Sequence, residues 1–301
     1  MLNLLENIPL KDKTSYKIGG SARFYFEPRS EEEIIELYRF AQERGLPVFI
    51  LGKGSNLVVS DEGLLGLVIN LSANFTELEW DGMSASVQGG FSLDDLAACA
   101  VQKALGGMEE LSGIPGTVGG AVVMNAGAFN TEVSHTLRSV RVLRVSTLAI
   151  DTIPAASLDL GYRHSVIKGS GDLVLSAIFD FKPSPDAGRI RQEILDKRRQ
   201  KQPLDYPNCG SVFKRPAGNY AGTLIESCGL KGFTVGGAMI SPKHANFIIN
   251  TGSALAEDVR GVIRHVQKTV FESSGVLLEP EVIFMGEFKE PLFSDSYLRS
   301  T

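Results

Sequence analysis

Residues 112–128 read SGIPGTVGGAVVMNAGA, and no other stretch restricts the fold of this 301-residue chain so strongly. Five glycines (Gly113, Gly116, Gly119, Gly120, Gly127) and Pro115 stand among small or apolar residues. Glycine loses more conformational freedom on folding than any other residue, and this mixture packs poorly as an ordinary helix or strand. The loss is tolerated where main chain must turn tightly or approach a ligand closely. On that reading the glycines leave main-chain amides bare, Pro115 stiffens the turn, and Asn125 offers a donor and an acceptor without charge.

A second glycine turn, LGKGSN, lies between LPVFIL (46–51) and LVVS (57–60), both strand-like runs. It is not a Walker loop, because the lysine is followed by Gly54 and the upstream glycine is misplaced. Nor is it a dinucleotide fingerprint of the doubly wound fold, because Leu57 stands where the third glycine belongs and a strand follows. Two readings remain: a plain hairpin turn, or a nest of N–H groups over Gly52–Asn56 converging on an anion. Two bare-backbone loops in one domain suggest an elongated ligand with a diphosphate at its middle, and a dinucleotide fits.

The remaining sequence sets bounds. With 43% hydrophobic and 22% charged residues, the chain is long enough for a sizeable core and more than one domain. A net charge of -5 argues against a nucleic-acid groove, and the basic run Lys197–Lys201 reads as the solvated face of a helix rather than a phosphate site. The start lacks the features of a signal peptide and no stretch of about 18 apolar residues occurs, so a cytoplasmic protein without a membrane span is expected. Three cysteines without CxxC spacing suit free thiols, and four scattered histidines support no metal site.

Ser30-Glu31-Glu32-Glu33 reads as a capping box opening an amphipathic helix that Gly45 stops. Further helices are expected from Ser92, over 186–202, in AGTLIESCG and over 255–274, and strands over 138–145, 173–181 and 281–285. Pro183-Ser184-Pro185 marks a change of character and the main domain boundary.

The segment SGIPGTVGGAVVMNAGA, with LGKGSN, YKIGGSARF (16–24), GYRHS (161–165), GSVFKRP (210–216), AGTLIESCGLKGFTVGGAMIS (221–241), HANFIIN (244–250) and LEPEV (278–282), resembles the UDP-N-acetylenolpyruvoylglucosamine reductase family over nearly the whole chain. The order and spacing carry the likeness, and the length is similar to that of the shorter, type II form. The resemblance implies an α+β / α/β fold: a FAD-binding region of vanillyl-alcohol-oxidase type over 1–184 (subdomains about 1–72 and 73–184), an α+β substrate domain over 185–278, and a segment 279–301 that returns to the flavin region. It also implies noncovalent FAD, NADPH as hydride donor, a UDP-sugar substrate, and a cytoplasmic monomer that binds neither nucleic acid nor membrane.

Site residues follow from the same likeness. Arg163 matches the family's catalytic arginine, Ser211 its proton donor, and Glu281 the active glutamate, with Glu279 as the competing reading. The flavin set is Gly52, Lys53, Gly54, Ser55, Asn56, Gly113, Ile114, Pro115, Gly116, Thr117, Gly119, Gly120, Asn125, Ala126 and Gly127. Substrate contacts are carried to Tyr162, Lys214, Tyr220, His244 and Asn250; no metal is implied. Cys209 stands where alanine is usual and reads as a small buried thiol. The pairs Arg215-Pro216 and Phe129-Asn130 also depart from the family pattern.

Overall fold

The computed structural model describes residues 3–294 and divides them into two compact units, each with its own core. The first comprises residues up to Leu5, Tyr25–Lys53 and Gly66–Arg198; the second comprises Glu6–Phe24, Gly54–Leu65 and the chain from Arg199 onward. This differs from the sequential boundaries expected from composition. The chain crosses at residues 198 and 199, inside the helix Ala187–Lys201, rather than at Pro183–Pro185. Residues 54–65 group with the C-terminal third because Leu57–Val59 pairs in parallel with Ile283–Met285, so the segment after 279 pairs with an early strand of this same second unit. The end of that segment, 295–301, lies outside the described residues.

In the first unit a five-stranded antiparallel sheet runs Ile150–Pro154, Leu137–Leu143, Leu173–Asp180, Ser84–Gln88, Leu78–Asp81. Alternation decides which face is buried. Ala85 and Val87, Val140 and Val142, and Ala177 and Phe179 point to one side, where they meet Leu93, Leu96, Ala97 and Ala100 of the helix Leu93–Gln102. Each large apolar side chain so covered contributes roughly 1.5–3 kcal/mol. Ser92 caps that helix, its Oγ accepting from the Asp95 N–H. The helix Glu31–Glu43 forms where expected, but the reciprocal half of its capping box differs: Glu33 Oε2 accepts from the N–H of Arg29, not of Ser30. In the same unit Val48–Leu51 pairs in parallel with the later part of Leu64–Asn70, a sheet edge from which LGKGSN departs.

In the second unit, helix Ala256–Ser274 buries Val259, Val262, Ile263, Val266 and Val270 along one stripe, against Leu224 and Ile225 of helix Ala221–Ser227 and the strands Ala238–Ile240 and Ile248–Asn250. Gly275, at φ 71, closes the long helix in the left-handed conformation that glycine adopts without a Cβ clash.

Candidate active site

The glycine segment folds differently from a bare loop. Thr117 caps a short helix, Val118–Val123, its Oγ1 accepting from the Gly120 N–H at 3.4 Å. The expectation that the glycines leave their amides free is corrected. The Gly113 N–H donates to Asp94 Oδ1 (2.8 Å), Gly116 to the Ile114 carbonyl (3.0 Å), and Gly119 to the Gly89 carbonyl (2.8 Å). Their role is close packing and turning: a Cβ at Gly119 would stand 3.0 Å from the Gly89 carbonyl oxygen, and Gly113 sits at φ +77 with a would-be Cβ 2.9 Å from Arg198 Cδ.

The two glycine turns nonetheless meet within the first unit. A Cβ on Gly52 would stand 2.6 Å from Thr117 Oγ1, so the start of LGKGSN lies directly on the cap of the Val118–Val123 helix. Beside them Lys53 Nζ donates to Ser92 Oγ (2.6 Å). Asp94 follows at the same helix start. Burial works to raise its carboxyl, but hydrogen bonds from Arg191 and Gly113 and the charges of Arg191 and Lys53 outweigh burial and hold it below the usual carboxylate range. The result is a convergence of backbone, hydroxyl and cation where the two glycine turns meet. Arg198 departs from the solvated reading of the basic run: Lys197, Arg199, Gln200 and Lys201 are exposed, whereas Arg198 is buried.

Asn125 does not present its amide to a ligand. It is fully buried at φ +41; Nδ2 donates to Glu132 Oε2 (2.8 Å) and the Gly161 carbonyl (3.1 Å), and Oδ1 accepts from the Ser134 N–H (3.0 Å). It thereby ties the MNAGA end of the glycine segment to the GYRHS turn. Gly161 and His164 exchange backbone hydrogen bonds (3.2 and 3.1 Å), leaving Tyr162 and Arg163 as a two-residue turn. Arg163 adopts φ +56, unusual for a residue with a long side chain, and its guanidinium carbon lies 5.1 Å from the ring of Tyr162, which is exposed.

In the second unit the GSVFK and LEPEV segments lie side by side. The Glu281 N–H donates to the Val212 carbonyl (2.7 Å) and the Lys214 N–H to the Glu279 carbonyl (2.9 Å), bringing Ser211 and Glu281 into adjacent stretches. Asn56 Nδ2 donates to the Glu281 carbonyl (3.1 Å), so the end of LGKGSN fixes this same backbone. Lys214 pairs through Nζ with Glu279, whose side chain is otherwise exposed. Gly54 sits at φ +60, with Lys13 and Thr14 too near for a side chain.

Among the substrate expectations, Tyr220 is exposed, with Arg215 stacked 4.7 Å above its ring. His244 is half-buried, its Nδ1 accepting from the Asn246 N–H (3.2 Å), and burial pulls its pKa below the ordinary histidine value. Asn250 is corrected. It is buried, Nδ2 donates to the Tyr16 carbonyl (2.9 Å), and Oδ1 accepts from Gly252 (2.8 Å) and Ala254 (3.1 Å), so its side chain is structural. Sequence reasoning missed Asn246, whose amide bonds both the N–H (3.0 Å) and the carbonyl (2.9 Å) of Phe213 and so anchors the serine segment. Its place two residues after His244, in a run that loops back across a strand, was the only signal. Cys209 is buried as expected, and burial pushes its thiol up to about 12. Among the described residues no cluster of metal-ligating side chains occurs, and no helix is long and apolar enough to cross a membrane.

Comparison with known proteins agrees with this geometry. The FAD binding domain family matches residues 22–147, and the UDP-N-acetylenolpyruvoylglucosamine reductase C-terminal domain family matches 202–285. The chain is 44% identical to the UDP-N-acetylenolpyruvoylglucosamine reductase of Caldicellulosiruptor saccharolyticus, over 98% of this chain and 96% of that one. It is 41% identical to that of Streptococcus pneumoniae, over 96% and 98%. The crystal structure of UDP-N-acetylenolpyruvylglucosamine reductase from Thermus caldophilus superposes with a TM-score of 0.82 at 34% identity, covering 95% of this chain and all of that one. A FAD-binding domain match joined to a match with the reductase C-terminal domain, and relatives 44% and 41% identical over nearly the whole chain, place this chain in the UDP-N-acetylenolpyruvoylglucosamine reductase family.

Proposed function

We propose that the chain reduces the enolpyruvyl ether of UDP-N-acetylglucosamine to UDP-N-acetylmuramate with NADPH, through noncovalent FAD, in the making of peptidoglycan precursor. The observation that carries the reading is the backbone pairing of Val212 with Glu281, itself held by Asn56 of the LGKGSN turn. It sets a hydroxyl, a carboxylate and the end of a glycine turn on one piece of framework.

When bound, FAD would supply the hydride chemistry that links NADPH to the vinyl carbon of the substrate. Gly52, Lys53 and Thr117 hold the dinucleotide, with Ile114, Pro115 and Ala126 shaping its pocket. Hydride addition to the vinyl carbon conjugated with the carboxylate builds further negative charge onto that carboxylate, and Arg163, displayed on its two-residue turn, supplies the planar cation for it. Ser211 delivers the proton to the neighbouring carbon. A serine hydroxyl is a weak acid, so Lys214 favours the alkoxide left behind, while Glu281 orients the reacting group. Tyr162, Tyr220 and His244 take the sugar nucleotide.

The chain is further read as a cytoplasmic monomer: three free thiols suit a reducing compartment, and light scattering tests the monomer. The reaction is tested with Ser211→Ala. Reduction of bound flavin by NADPH should proceed at the wild-type rate while reoxidation by the enolpyruvyl UDP-sugar slows by about 10²-fold or more. An equal loss in both half-reactions would contradict the role given to the serine.

A further inference from the structure

The glycine amides of the 113–120 turn are satisfied within the protein, yet two polar groups beside that turn are not. Ser112 Oγ is fully buried without a hydrogen-bond partner. Arg198 is 9% exposed, and both Nε and Nη2 lack a hydrogen-bond partner. These two nitrogens form one edge of the guanidinium, the side-on fork that matches a pair of oxyanion acceptors. The arginine is pressed against the turn: a Cβ on Gly113 would stand 2.9 Å from its Cδ and 3.3 Å from its Nε. Its helix reaches this position because Ala187, Ile194 and Arg198 share the inward stripe. The nearest acid does not satisfy it, since Asp94 Oδ1 already accepts from the Gly113 N–H and Arg191 Nη1 (2.6 Å). Phe129 covers the approach, its ring 5.9 Å from both Arg198 Cζ and Lys197 Nζ.

A buried, unmatched cation costs a protein stability, and burial here pulls the guanidinium below its ordinary pKa despite the charge of Asp94. Such a group is retained where something outside the chain completes it. We infer that the Nε–Nη2 edge of Arg198, with Ser112 Oγ, is an oxyanion receptor on the SGIPG turn, and that its ligand is the negatively charged portion of the bound flavin nucleotide. The assignment rests on the flavin reading above. Two parts of that nucleotide share the chemistry: the diphosphate, and the pyrimidine edge of the ring when reduced.

The experiment compares wild type with Arg198→Met, an apolar chain of similar length, each freed of flavin by bromide dialysis and titrated with FAD, FMN and riboflavin. The expected result is two-sided. Flavin-free Arg198→Met melts at or above the wild-type temperature, because an unmatched charge has been removed. Its FAD dissociation constant rises at least about tenfold, the effect of losing a hydrogen bond to a charged group. A loss confined to FAD and FMN identifies the phosphates. An equal loss with riboflavin, together with a more negative midpoint potential, identifies the ring edge. Arg198→Lys, which keeps charge without the fork, falls between the two. Wild-type affinity in Arg198→Met overturns the inference, as does a flavin-free variant that melts well below wild type or does not fold, because Arg198 is then a structural residue. A wild-type protein that takes up no FAD overturns the flavin reading itself, and the inference with it.

Discussion

Replacing Asn125 with alanine should destabilise the first unit by several kcal/mol and misplace the turn that carries Arg163. The magnitude follows from what the side chain holds. Truncation leaves the Ser134 N–H without a partner, deprives the Glu132 carboxylate of a donor, and leaves the Gly161 carbonyl with only its bond from the His164 N–H. An unsatisfied buried N–H costs about 1–3 kcal/mol, and alanine at φ +41 adds about 1 kcal/mol of backbone strain that asparagine tolerates better. The expected loss is therefore about 2–4 kcal/mol. Asn125→Gly separates the terms, because it loses the same hydrogen bonds but relieves the strain, and should be about 1 kcal/mol more stable than the alanine variant. Trp80 is the single tryptophan and lies in the Leu78–Asp81 strand of that unit, so its fluorescence in a urea titration of flavin-free protein reports this unit. A shift below about 1 kcal/mol for Asn125→Ala, or a glycine variant as stable as wild type, would refute the claim that this amide network holds the two segments together.

Further expectations can be checked quickly. Burial that lifts the Cys209 thiol to about 12 keeps it protonated, so a thiol reagent at pH 8 should modify at most Cys99 and Cys228 in native protein and all three after unfolding; three rapid modifications would contradict the placement of Cys209. His244 is held neutral by burial, so its folded pKa lies below its unfolded value near 6.5. Between the two the unfolded chain binds more protons, so stability is complete above about 6.5 and is lost as pH falls towards the folded pKa. His244→Asn should flatten the melting temperature against pH across that window, and an unchanged profile would remove His244 as its source.

Much of this was legible in the sequence because it depended on local chemistry. Ser30, Ser92 and the Val259–Val270 stripe announce their helices through caps and periodicity, and LGKGSN announces a strand-to-strand turn. What escaped depended on long-range pairing. Nothing local to Leu57–Val59 says that its partner is Ile283–Met285, so the two units could not be drawn as sequential blocks. Glycine counting identified the segment 112–128 but not the use of its amides, since Gly89 and Asp94, which accept them, lie far back in the chain. Asn125 and Asn250 look like ligand-facing amides in one dimension and prove to be internal braces, and Arg198 hides in a basic run whose other members are solvated.

The account is tested most directly by the visible spectrum of the purified protein during two anaerobic additions. It predicts a yellow protein whose flavin band is bleached by NADPH and restored by the enolpyruvyl UDP-sugar, with acid precipitation releasing the chromophore. A colourless protein that refuses added FAD, or a bleached flavin that the sugar nucleotide fails to reoxidise, would contradict it.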